Sequence, residues 1–168
     1  MPVSVCTYQK VWDYDLDYNP EIIIITVNGK LTRDEWTQYL SYFENVYDYH
    51  CPADKKIYLL WDLTKTEMIP FGWLHEHAKL LEKIKPKTVK YLIATSVIIT
   101  NSVLRQGLNM LLKLYRNNRP VRICSNLEES INFFSNLGIP QQEESLGPHG
   151  VELESQDFNS IEQLFKDT

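Results

Sequence analysis

The sequence predicts an α/β protein: a mixed, mostly parallel sheet with crossover helices, preceded by antiparallel strands. Three observations carry that reading. Between Glu21 and Asn136, strand-like and helix-like segments alternate in one ordered run. The strand-like segments are short and apolar, and the four consecutive isoleucines of EIIIITV suit a strand buried on both faces. The helix-like segments carry apolar residues three and four positions apart, the spacing of a sheet-facing stripe.

The elements follow in chain order. Residues 3–18 read as one or two exposed strands, because YQKVWDYDLDY alternates aromatic with polar residues as a half-buried antiparallel edge does. Pro20 separates this stretch from EIIIITVNG, whose β-branched side chains pack well in a sheet and whose Asn28-Gly29 has turn chemistry. Thr32 followed by Glu35 is the signature of a capping box, and the helix behind it presents Trp36, Tyr39, Leu40, Phe43 and Tyr47 on one face. Pro52 stops further helix, and Lys55-Lys56 lead into a strand over residues 57–61, with Asp62 at its carboxyl end. A loop over residues 63–70 precedes a helix over 71–85, broken before Pro86. Residues 88–96 read as a buried strand, 102–116 as a helix, 121–124 as a short strand and 127–136 as the last helix. Asn126 or Ser125 caps that helix, with Glu128 and Glu129 in the favourable first turn.

At 168 residues the chain suits one domain with a sizeable core and is short for two. We place that domain at residues 1–139 and read 140–168 as an acidic tail with a short amphipathic helix. The net charge of −5 hides a division. Residues 1–54 hold nine acidic and three basic side chains, residues 140–168 seven and one, and residues 55–139 six and thirteen. The overall acidity argues against a nucleic-acid partner, and the basic middle is expected to face the chain's own acidic ends or an anionic partner. Three widely spaced cysteines, Cys6, Cys51 and Cys124, read as free thiols in a reducing compartment. No signal peptide is recognisable and the apolar runs are too short to cross a bilayer, so an intracellular, cytoplasmic location is expected.

The run from Glu21 to Phe134 resembles the STAS domain, the anti-sigma-factor-antagonist fold, and especially its divergent SpoIIAA-like branch. The resemblance rests on the strand ending in NGKLT, the following helix, the strand ending in Asp62-Leu63-Thr64, and the closing RPVRICSNLEESINFF. It covers about two-thirds of the chain. In regulatory STAS proteins the loop after the second of these strands leads to a phosphorylated Ser or Thr at the next helix start. Here that stretch is EMIPFGW, and Pro70, Phe71 and Gly72 carry no hydroxyl. The resemblance thus implies partner binding without the usual phosphorylation switch.

Candidate sites are modest. Asp62 with Thr64 and Thr66 lies where open α/β sheets bind ligands, although Asp62 serves equally well as a structural acceptor for loop N–H groups. Arg105, Asn109, Lys113 and Arg116 recur at helical spacing, followed by Arg119 and Arg122; converging arginines grip a carboxylate or phosphate, and a solvated polar face is the plainer account. His75 and His77 are two apart on a helix, so both imidazoles do not face one ion, and HEH is not HExxH. Neither a metal nor another cofactor is expected. Cys124 and Ser96 lack the neighbours of a nucleophile. The helix over 102–116 is apolar around much of its circumference, so Leu104, Leu108, Leu111 and Tyr115, with Phe71 and Trp73, are expected at a partner or homodimer interface. The leading expectation is a non-catalytic, self-associating binding or assembly module, not an enzyme. The alternatives are a small-molecule or lipid carrier with a pocket beside the 62–71 loop, and a structural component of a larger particle.

Overall fold

The computed structural model describes residues 3–8, 20–115 and 118–137. Its strands are β1 (Val3–Tyr8), β2 (Glu21–Val27), β3 (Ile57–Asp62), β4 (Leu92–Ile98) and β5 (Val121–Cys124), hydrogen-bonded in that order across one sheet. β1 runs antiparallel to β2, and every later neighbour is parallel. This is the mixed, mostly parallel sheet that the alternation predicts. The helices are α1 (Arg33–Glu44), α2 (Val46–His50), α3 (Phe71–Lys83), α4 (Lys85–Tyr91), α5 (Ser102–Leu114) and α6 (Leu127–Asn136).

Because β2 to β5 follow one another across the sheet, each crossover steps in the same direction. Crossovers of one hand then put all their helices on one face. The buried residues show that arrangement. Ile23, Ile25, Ile57, Leu59 and Val97 form a core with Trp36, Phe43, Leu74, Ala78, Leu104 and Leu111 from α1, α3 and α5. The other face carries a smaller core, in which Ile22, Tyr58, Leu60, Ala94 and Ile98 meet Phe134 of α6. Period-two alternation along β2 and β3 assigns each residue to its face.

Local chemistry explains where elements begin. Thr32 accepts from the Glu35 N–H while Glu35 accepts from the Thr32 N–H at 2.7 Å, completing the capping box. Gly29 takes a φ of +68°, a left-handed conformation that glycine adopts without steric cost. Its N–H donates to the Lys65 carbonyl at 2.8 Å and its carbonyl accepts from Glu67, tying the NGK turn to the loop after β3. The Asn126 side chain caps α6 by accepting from the Glu129 N–H at 2.8 Å.

The expected strand over residues 88–96 requires correction. Residues up to Tyr91 belong to α4, and β4 starts at Leu92 and runs to Ile98. Pro86 begins a helix here because the first helical turn needs no N–H from it. Thr88 also finds helical partners, its hydroxyl donating to the Ile84 carbonyl at 3.3 Å. α3 correspondingly ends at Lys83 and α5 at Leu114, short of the expected bounds. The remainder of the expected exposed strands, residues 9–18, lies outside the described residues, as do Arg116, the boundary at residue 139 and the tail over 140–168.

The charge division closes on itself. Lys83 pairs with Glu44, Lys87 with Asp48 at 2.7 Å and Lys90 with Asp54 at 2.8 Å, so the basic α3–α4 segment faces acids of the N-terminal region. These pairs are exposed and each contributes little, of order 0–1 kcal/mol.

Candidate functional site

The expected sites separate in space. Asp62 accepts from the Thr64 N–H at 3.0 Å and from its hydroxyl at 2.7 Å, the side-chain turn that a structural role implies. Thr66 is buried and donates to the Val27 carbonyl at 2.7 Å. Asp62 thus holds Thr64, and Thr66 holds the end of β2, so these residues brace the carboxyl end of the sheet. Pro70 at the start of α3 supplies no side-chain cap.

The basic residues do not converge. Arg105 sits in the first turn of α5 and Arg119 beyond its far end, on the order of 15 Å away along the helix axis. Arg122 lies over the Phe133 ring of α6 at 5.8 Å, on the opposite face of the sheet. Lys113 is exposed. The expected interface is likewise drawn inward. Leu104 and Leu111 are 2% and 5% exposed in the chain's own core, and Phe71 is 6% exposed. Trp73 stacks on Trp36 with centroids 5.6 Å apart. The Tyr115 hydroxyl meets His75 Nδ1 at 2.9 Å, and Leu108 packs half-buried against the same core. Self-packing thus buries Leu104 and Leu111, while Leu108, Met110, Leu112, Leu114 and Tyr115 stay half-buried and Val103 is exposed.

What the structure builds instead is a cavity of about 150 Å³ between the sheet and the helices of the larger core. Leu59 and Trp61 of β3 and Leu92, Thr95 and Val97 of β4 form its floor. α1 and α2 contribute Trp36, Tyr39, Phe43 and Tyr47, α3 contributes Leu74, His77 and Leu81, and α5 contributes Leu108, Leu111, Leu112 and Tyr115. The lining is overwhelmingly apolar, with two polar features.

The first lies in the middle. Trp61 donates from Nε1 to the Tyr39 oxygen at 3.0 Å, so the Tyr39 proton is directed to His77 Nε2 at 2.8 Å. This order makes Nε2 an acceptor and leaves the ring proton on Nδ1, by the logic of the network. Burial pushes the His77 imidazole down to about 4 and raises the Tyr39 phenol. Both groups are neutral around pH 7, and the hydrogen bonds between them satisfy polar atoms that an apolar cavity otherwise penalises. His75 and His77 point to α5 and α1 respectively, as their spacing requires. Among the described residues no group of three His, Cys, Asp or Glu side chains is placed to hold a metal ion.

The second feature lies at the amino end of the sheet. Tyr47 donates to the Thr88 hydroxyl at 3.2 Å, and burial raises its phenol to about 12. Arg119, from the α5–β5 connection, lines the cavity at this end. Its Nη2 donates to the Val89 carbonyl, while its buried Nε has no hydrogen-bond partner among the described residues.

Sequence reasoning singled out Arg119 but not Tyr39, Trp61, His77 or Thr95 as site residues. One signal was available. His77 falls on the Leu74–Ala78–Leu81 stripe of α3, an ionisable group on a core-facing side.

No protein-family model matches the chain, and no curated protein matches its sequence. Among solved structures, it is similar to a DUF3478-family protein with a SpoIIAA-like fold from Shewanella loihica PV-4. That pair has a TM-score of 0.50 and 13% identity over 78% of this chain and 94% of the other. It is also matched to the anti-sigma factor antagonist SpoIIAA in its unphosphorylated form, with a TM-score of 0.46 and 11% identity over 81% and 100% of the two chains. The fold is therefore SpoIIAA-like, within the STAS type.

Proposed function

We propose that this domain is a non-enzymatic binding module that takes up a small apolar ligand in the cavity between its sheet and α1, α3 and α5. The cavity carries the reading. An apolar space of about 150 Å³ between a sheet and its covering helices is more than close packing ordinarily leaves within a core. An apolar cavity of this volume holds one benzene-sized molecule. This ligand reading displaces the assembly module as the better supported account, and its pocket extends inward from the 62–71 loop, whose Leu63 and Ile69 line one end, to the amino end of the sheet. Asp62, Thr64 and Thr66 make structural hydrogen bonds and do not line it. The one hydroxyl–imidazole pair among the described lining residues, Tyr39 and His77, is locked in a buried network with Trp61 in which the phenol holds its proton more tightly than a free one, which supports binding over catalysis.

The test uses toluene as the probe, followed by amide NMR shifts. Residues around the cavity should shift saturably in the native protein, and Leu111→Phe, which fills the space, should abolish the response while retaining a dispersed spectrum. Absence of shifts at saturating toluene overturns the reading, as does undiminished binding by the filled variant.

A second reading, contact with a protein partner or a second copy, is favoured by β1. Among the described residues it is one of the sheet's two edge strands, and its Val5 and Tyr8 are 38% and 41% exposed. Light scattering at micromolar concentration tests the second-copy form: a strictly monomeric mass removes it.

A further inference from the structure

Resting on the cavity reading above, we infer that the ligand is a small apolar carboxylic acid, with Arg119 as its anion anchor. The cavity is polarised along its length. Val27, Leu63 and Ile69 close one end, and Thr88, Thr95 and Arg119 border the other. An amphipathic molecule with one charged end matches that gradient, whereas a plain hydrocarbon leaves the cationic end unused.

Arg119 is unusual among the cations near it. Lys83, Lys87 and Lys90 each pair with an acid of the N-terminal region, and no carboxylate among the described residues lies within ion-pairing distance of Arg119. Glu82 also borders the cavity, but it is exposed and does not pair with the guanidinium. The Val89 carbonyl satisfies one guanidinium nitrogen, and the buried Nε remains an unmet donor. The guanidinium as a whole is half-buried, and its Nε is shut away from solvent without a partner; an anion that meets this open donor relieves its cost, and the guanidinium fork matches a carboxylate. A phosphate asks for several donors or cations. The described lining supplies one cation, Arg119, beside the neutral donors Thr88, Thr95 and Asn118, which favours the singly charged carboxylate.

The size follows from the volume: one six-membered ring or a branched chain of similar bulk. Binding is non-covalent, and the acid enters and leaves unchanged.

The experiment compares benzoate, benzamide and toluene by NMR titration and calorimetry at pH 7, on the native protein and on Arg119→Gln and Arg119→Lys. Benzoate should bind at least about tenfold more tightly than benzamide to the native protein, the effect of one charge-assisted hydrogen bond. Arg119→Gln should remove that advantage while toluene still binds, which also shows that the variant is folded with a cavity. Arg119→Lys should recover part of the advantage. If toluene binds but benzoate is no better than benzamide, or if the preference survives in Arg119→Gln, the anchor is wrong and the cavity reading stands. If none of the three probes binds the native protein, both fail. Should Arg119→Gln prove unfolded, the benzoate-to-benzamide ratio on the native protein decides alone.

Discussion

Lowering the pH from 7 to 4 should expose the cost of keeping His77 neutral. Its ring is surrounded by Phe43, Trp61, Tyr39 and Trp36, with centroids at 4.8, 5.6, 5.7 and 6.4 Å. Burial among them brings the imidazole from 6.5 down to about 4, and the hydrogen bond that Nε2 accepts from Tyr39 also favours the neutral ring. In the unfolded chain the same imidazole takes up its proton near 6.5. Between these values the unfolded state binds more protons, so stability rises with pH there. The contribution is fully present above pH 6.5 and is lost as the pH falls towards 4. A gap of about two and a half pH units, at about 1.4 kcal/mol each, caps the total at roughly 3.5 kcal/mol, of which about 3 is lost by pH 4, where the folded-state ring is half protonated. Urea midpoints from pH 7 to 4, on the native protein and on His77→Gln, measure it. The native protein should lose on the order of 3 kcal/mol more than the variant across that window. His50, which burial also lowers, contributes equally to both proteins and drops out of the difference. NMR of the His77 ring protons supplies a direct check. A ring that titrates near 6.5, or parallel stability profiles for the two proteins, would refute the argument.

Two further outcomes test the packing on the other face. Phe134 is fully buried and lies 4.5 Å from the Tyr58 ring, so Phe134→Ala should cost about 3–5 kcal/mol in chemical denaturation; a cost below about 1 kcal/mol would mean that α6 does not hold that core together. Ser96 and Ser130 form a buried hydroxyl pair at 2.6 Å, and Ser130 also donates to the Asn126 carbonyl, which leaves Ser96 as donor within the pair. Ser130→Ala should therefore cost about 1–3 kcal/mol and the double Ser96→Ala, Ser130→Ala variant less than the sum. Strict additivity would show that the pair is not coupled.

The two faces of the sheet bear on ligand uptake. Five helices crowd the face that holds the cavity, and among the described residues α6 alone covers the other. Cavity walls drawn from α1, α3 and α5 belong to three successive crossovers, and their mutual packing sets the volume. A ligand that fills the space links these helices and should raise the stability of the folded state by mass action.

The sequence by itself determined the class of the sheet, the order of its elements and most of their ends. Local rules suffice there: a β-branched run for β2, a short apolar run for β3, a Thr32–Glu35 capping box for α1, an Asn126 cap for α6. Local rules failed at Pro86, where a residue that stops one helix opened the next, because its effect depends on whether the first turn of a helix is available to receive it. They also could not weigh the apolar circumference of α5: Leu104 and Leu111 read as a surface for a partner until the chain's own strands covered them. The candidate site is a product of tertiary structure alone. Tyr39, Trp61 and His77 come from three elements, separated by 22 and 38 positions in the bonds that join them. Arg119 was legible as one basic residue in a series, but its isolation was not. That depends on which acids the neighbouring lysines have already met, on a carbonyl from α4 and on the space left between helices, and all three are decided by packing.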